Sequence, residues 1–238
     1  LAETRHYQAA LAERPWHQPA TRHWAPDGRP RYYNDLLFSS SPYLLQAAHH
    51  PVRWRSWGEE AFNEAEARGC LVFLSCGYSG SAWCQIMAEE SFEDESLATL
   101  LNEHFVPIKV DREEHPDVDA VYMEFLQLTT RRGGWPLNVI LRANKQPLVA
   151  EGYLPLHAGD RGFDRGLFEL LELMARHGHA SELEARVTPA LDFLSQYGLQ
   201  RSSERVSVTR IDQAAERWLE DFDSLWGGFS EAPKFQGR

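Results

Sequence analysis

Cysteine is scarce in this 238-residue chain, which has only Cys70, Cys76 and Cys84. The number is odd and the spacing matches no metal-type pair, so a small fold stapled by disulfides is excluded. Long apolar runs are absent as well. Nothing approaches the roughly 18 consecutive apolar residues of a membrane span, and no transmembrane segment is expected. Positive charge is in short supply, with 24 Lys and Arg against 35 Asp and Glu. That balance argues against a nucleic-acid partner, because phosphate binding needs a concentrated positive face. Residues 1–33 are the exception, with five Arg against Glu3, Glu13 and Asp27; so small an excess fits a solvated arm better than a binding patch. Internal repeats and low-complexity segments are missing too. Leu1 stands where an initiator Met would, which implies missing upstream residues. The location stays open, leaning slightly towards outside the cytoplasm.

What is present is the composition of an ordinary globular protein, 43% hydrophobic and 25% charged, long enough for one or two domains. Pro15, Pro19, Pro26 and Pro30, with Asp27-Gly28, break regular structure in an extended N-terminal arm over residues 1–33. Residues 59–68 are strong helix formers stopped by Gly69. Leu71-Val72-Phe73-Leu74-Ser75-Cys76 is a short continuous apolar run, the pattern of a strand buried on both faces. A turn at 77–80 follows, and Ser81 is a good N-cap for a new helix. Leu97, Leu100, Leu101 and Phe105 predict a packed helix, and residues 106–110 a second strand with Pro107 at its start or at an edge. Val118, Val121, Tyr122, Phe125 and Leu126 predict an amphipathic helix with Phe62, Tyr122 and Phe125 in the core. Residues 137–141 predict a third strand, and 147–153 an antiparallel fourth.

This order gives an α/β fold class, a mixed sheet with flanking crossover helices over residues 34–160, followed by a helical segment over 161–238. In that segment Leu167, Leu170, Leu171 and Met174 form one stripe. Thr188-Pro189 reads as an N-cap with proline at the first helical position, and Ile211, Ala214, Ala215, Trp218 and Phe222 mark a further helix.

The chemistry centres on Ser81-Ala82-Trp83-Cys84. A buried strand, a turn and a helix opening on Trp-Cys is where thioredoxin-type proteins carry a dithiol. A cysteine at a helix N-terminus gains thiolate character, and a second one three residues on resolves the mixed disulfide. Here only Cys84 is a cysteine. Cys76 lies eight residues earlier on a strand, where a bridge to Cys84 exceeds the roughly 7 Å limit between Cα atoms. Trp135-Pro136, just before the third strand, stands where that fold usually carries a cis proline facing the site.

A series of motifs in order and in register resembles one family. They are Ser41-Pro42-Tyr43-Leu44-Leu45-Gln46, Trp57-Gly58-Glu59-Glu60-Ala61-Phe62, Glu90-Ser91-Phe92, Lys109-Val110-Asp111-Arg112-Glu113-Glu114, Pro116-Asp117-Val118-Asp119 and Gly133-Gly134-Trp135-Pro136-Leu137. From about residue 32 to 157 the chain resembles the DsbH-like thioredoxin domain of YyaL-type and spermatogenesis-associated-type proteins. Gly227-Gly228-Phe229 and Ala232-Pro233-Lys234-Phe235 are similar to the opening of the α/α toroid that follows in that family, which resembles sugar-processing enzymes. The departures fall on polar and reactive positions. Where the family pattern is Cys-His-Trp-Cys-His, this chain has Ser81, Ala82, Trp83, Cys84 and Gln85; Ala47 replaces a family His, His50 an Asn and Arg53 an Asp. The resemblance implies that the attacking cysteine is lost while the shielded one, Cys84, is kept.

The expectation is therefore a redox-degenerate module that binds a protein or a small-molecule ligand. The alternative is an enzyme, either thiol-dependent through Cys84 or sugar-processing through a C-terminal toroid. The candidate binding residues are Ser81, Trp83, Trp135, Pro136, Asp111, Arg112 and Glu113, with Cys84 the catalytic candidate. The carboxylate-rich run from Asp111 to Asp119 leaves a strand end, a usual place for α/β sites, although helix capping and internal pairing with Arg112 account for much of it. His49-His50 and His177-Gly178-His179 lack Cys or carboxylate partners at ligand spacing, so neither a metal nor a cofactor is expected.

Overall fold

The computed structural model describes residues 7, 14, 17–199 and 208–222, in two compact units, 1–195 and 196–238. In the first unit a short helix α1 (Pro42–Gln46) is capped by Ser41, whose hydroxyl accepts from Leu44 N. Helix α2 (Glu59–Arg68) ends on Gly69 in the left-handed conformation, a backbone that glycine adopts without a Cβ clash. Strand β1 (Leu71–Gly77) follows, then α3 (Ala82–Met87), which continues into a π-helical turn (Ala88–Phe92). After these come α4 (Glu95–His104), β2 (Phe105–Asp111), α5 (Pro116–Thr130), β3 (Leu137–Leu141), β4 (Pro147–Glu151) and α6 (Leu167–His177).

The sheet order is β2-β1-β3-β4. β1 runs parallel to β2 and antiparallel to β3, and β4 is antiparallel to β3. Parallel pairing of β1 with β2 needs a crossover, and α3, the π turn and α4 supply it. β1 is central, and all seven of its residues are buried, as its continuous apolar run predicts. β2 is an edge strand and accommodates Pro107 there, with Arg55 bridging to its outer side.

The pleat sorts the side chains. Ser75 is paired with Lys109 and Gly77 with Asp111, so these four share one face, where Trp54, Phe73 and Phe92 pack. Cys76 points to the opposite face, towards α5, and its Sγ lies 3.6 Å from Asp119 Oδ1. Burial of Trp54, Phe73, Phe92, Phe105 and Phe125 contributes about 1.5–3 kcal/mol for each side chain.

α6 buries Leu167, Leu171 and Met174 against this body. The expected helix start at Thr188-Pro189 is corrected: helix α7 (Ser181–Leu199) runs through Pro189. Strong helix formers at 182–186 carry the chain into the proline, which removes one backbone donor without ending the helix. In the second unit the described part beyond α7 is mainly helix α8 (Val208–Asp221). The motifs at 227–229 and 232–235 lie outside the described residues. Among the described residues no helix is long and apolar enough to cross a membrane.

Candidate functional site

Strand register brings three loops to one end of the sheet. Gly77 opposes Asp111, and Cys76 opposes Leu137, so residues 78–81, 112–115 and 131–136 emerge together. Ser81 caps α3, its Oγ accepting from Cys84 N at 3.3 Å. Among the described residues that hydroxyl has no other hydrogen-bond partner, so nothing there acts as a base to activate it. Cys84 is 3% exposed. Its Sγ packs against Gly77, where an added Cβ would sit 2.6 Å from the sulfur and closer still to Tyr43 Oη. Gly77 and Cys76 face opposite sides of the sheet, which separates Cys84 from Cys76, and all three cysteines are free. Burial and the neighbouring Asp119 carboxylate push the Cys76 thiol far up, so it stays protonated.

The Trp135-Pro136 bond is cis. Trp135 Nε1 donates to Asp119 Oδ1 at 2.7 Å, and the Arg112 guanidinium lies 3.9 Å from the Trp135 ring centroid. Arg112 Nε also pairs with Asp119 Oδ2 at 3.2 Å, and Tyr78 packs edge-on against Trp135. Asp119 is thus the hub that joins two of the loops and receives Cys76 from below. Asp111 is buried, accepting from Ser41 Oγ at 2.5 Å and from Glu113 N at 2.9 Å, while the Glu113 side chain is exposed. Of the sequence-predicted residues, Ser81, Arg112, Trp135 and Pro136 share this end of the sheet. Asp111 and Arg112 are taken up by internal contacts there. Trp83, 46% exposed, faces a different flank, its ring 4.7 Å from that of Tyr153, which in turn meets Phe163.

On the far side of Cys84 lies a cavity of about 550 Å³. Tyr43, Ala47, His50, Cys84, Glu93 and Lys109 form its buried base, with Gln46, Gln85, Glu89 and Arg22 at its exposed rim. Lys109 is only 2% exposed, and its Nζ sits about 5 Å from the ring centroids of Tyr43 (4.8 Å), Trp54 (5.1 Å) and Phe92 (5.0 Å). Burial pulls its pKa down to about 8, despite the opposing influence of Cys84 and Cys76. His50 is held well below its ordinary range, first by burial and then by Lys109, and so is neutral. Only one signal in the sequence pointed here: a lysine inside an otherwise apolar strand segment, Val106-Pro107-Ile108-Lys109-Val110.

The family model described as "Thioredox_DsbH: Protein of unknown function, DUF255" matches residues 33–191. The chain belongs to this DsbH-type thioredoxin family. Spermatogenesis-associated protein 20 of Homo sapiens is 44% identical over 209 residues, covering 86% of this chain and 27% of the relative. The uncharacterized protein B0495.5 of Caenorhabditis elegans is 40% identical over 209 residues, covering 86% and 28%. The chain thus spans about a quarter of the length of these curated relatives. Among solved structures, a DsbH oxidoreductase is 16% identical with a TM-score of 0.37, covering 52% of this chain and 83% of its own. A thioredoxin from Thermus thermophilus is 23% identical with a TM-score of 0.35, covering 55% and 88%. Ala47, His50 and Gln85, three positions that the resemblance marked as departures, line the cavity beside Cys84.

Proposed function

We propose that this DsbH-type domain is a redox-degenerate module that binds a protein or a ligand and does not exchange dithiols. The observation that carries the reading is Ser81. It occupies the helix-opening position of the attacking cysteine and uses its hydroxyl as a cap, while the remaining sulfur, Cys84, is buried behind it. A disulfide cannot close within this motif, and a mixed disulfide on Cys84 would have no neighbour to resolve it. The loop end of the sheet, where Ser81 and Pro136 are buried beside half-buried Trp135 and Arg112 and exposed Glu113, offers an aromatic and polar surface for a protein partner. Trp83 and its neighbour Tyr153 offer a second aromatic patch.

The test is disulfide reductase activity of the native protein and of Ser81→Cys. Native turnover at background, rising in Ser81→Cys, is the expected result. Robust native turnover that is lost in Cys84→Ala would overturn the proposal.

A further inference from the structure

We infer that the cavity beside Cys84 is a binding site for a small zwitterion of the α-amino-acid class, with the ligand carboxylate on Lys109 and its ammonium on Glu93. This deepens the binding reading above, rests on it, and names a ligand class for it. Two groups of opposite charge line the same cavity, and each keeps unused hydrogen-bonding capacity. Lys109 Nζ makes neither a hydrogen bond nor an ion pair among the described residues; its neighbours are aromatic faces. Glu93 is equally buried. Its Oε2 accepts from Thr21 Oγ1 at 3.2 Å and from Arg22 N at 3.1 Å, with His23 Nε2 at 3.4 Å and Arg22 Nε at 3.9 Å, but Oε1 has no hydrogen-bond partner, the His50 ring nitrogen being 3.7 Å away.

A buried polar or charged atom without a hydrogen-bond partner is costly, and a ligand that brings a carboxylate to Lys109 Nζ and a donor to Glu93 Oε1 meets both needs. The alternatives fit less well. A metal cation would meet the Lys109 ammonium, and an inorganic anion would meet Glu93 with Glu89 at the rim. An apolar molecule would leave both charges unsatisfied. The volume of about 550 Å³ falls among small-molecule sites and leaves room for a large side chain.

The cavity has a wall built for purpose in the π-helical turn Ala88–Phe92, where Glu93 N reaches back to Ala88 O at 3.1 Å. Such turns recur at functional sites because they displace a side chain from the regular helical face. Across the opening, residues 20–22 of the N-terminal arm lie against Glu93, with Arg22 Nε donating to Glu93 O at 3.3 Å and His23 Nε2 2.7 Å from it. Residues 20–23 of the arm, which composition suggested would be solvated, are therefore docked at one side of the cavity.

Titration of the whole chain with free α-amino acids of apolar, polar and charged side chains, followed by calorimetry and by amide chemical shifts, tests the site. At least one is expected to bind saturably with a Kd of about 1 mM or tighter. Its amide, lacking the carboxylate, and its N-acetyl form, lacking the ammonium, should each bind about tenfold or more weakly. Lys109→Met and Glu93→Gln should each weaken binding to a similar degree. Gln85→Trp, on the exposed rim, should block binding while leaving the buried groups and the fold intact, which guards against misfolding of the buried variants. No saturable binding by any amino acid up to roughly 10 mM, or binding indifferent to Gln85→Trp and to removal of either ligand charge, overturns the inference. Reductase assays on Ser81→Cys decide the redox reading separately, so the two can fail independently.

Discussion

Cys84 Sγ lies between the Gly77 backbone and the Tyr43 phenol, at the base of a cavity and not at its mouth. Thiol reagents reach such a sulfur only when the structure opens. Alkylation of Cys84 in the native protein is expected to be about a hundredfold slower than in urea, as followed by mass spectrometry of the peptide; equal rates would show an open thiol. Asp119 is the other residue whose surroundings decide its role. It accepts from Trp135 Nε1, pairs with Arg112 and receives the Cys76 thiol. Asp119→Ala leaves these groups without their acceptor and should cost about 2–4 kcal/mol in urea unfolding. Asp119→Asn, which keeps one acceptor oxygen, should cost less.

At the scale of elements, the end of β1 is where the packing of strand, α1 and α3 is tightest. Any side chain at Gly77 would collide with both Tyr43 and Cys84, although the backbone itself is unstrained. Gly77→Ala should therefore destabilise by about 1–3 kcal/mol through overpacking. Gly69→Ala should also destabilise, by about 1 kcal/mol, because φ there is +62°. A thermal melt of each variant checks both. Most elements could be read from the sequence because their signals are local. The apolar run of β1, the Ser41 and Ser81 caps and the Gly69 stop each act within a few residues. Pro189 could not, because tolerance of a missing backbone donor depends on the helix formers before it and on packing along α7.

Over the whole molecule, the buried ionisable groups set how stability follows pH. His49 is held down to about 4 from its ordinary 6.5, mainly by burial, and His50 is held down as well. In that window the native state binds fewer protons than the unfolded chain, so stability rises with pH and is lost on acidification from 6.5 towards 4. Lys109, down to about 8 from 10.5, has the same sign in the alkaline range. Unfolding free energies measured by urea should fall by about 2–3 kcal/mol through His49 between pH 6.5 and 4, with a shallower slope in His49→Gln. Lys109→Met should flatten the rise between pH 8 and 10.5 relative to wild type. An unchanged slope in either variant would refute the assignment of its window.

Sequence by itself determined the fold class, the order of strands and helices, and that Ser81 and not a cysteine stands three residues before Cys84, because caps, apolar runs and missing atoms are local facts. It also marked Trp135-Pro136 and the Asp111–Asp119 run as belonging near that cysteine. Only the tertiary structure decided what those residues do. Strand parity turned Cys76 towards Asp119 and set Lys109 on the face of Cys84. Folding of the arm brought residues 20–22 onto Glu93, some seventy positions away. A cavity that buries Lys109 and Glu93 together exists only where distant segments converge, since the burial that makes each charge significant is a property of the surroundings and not of the residue.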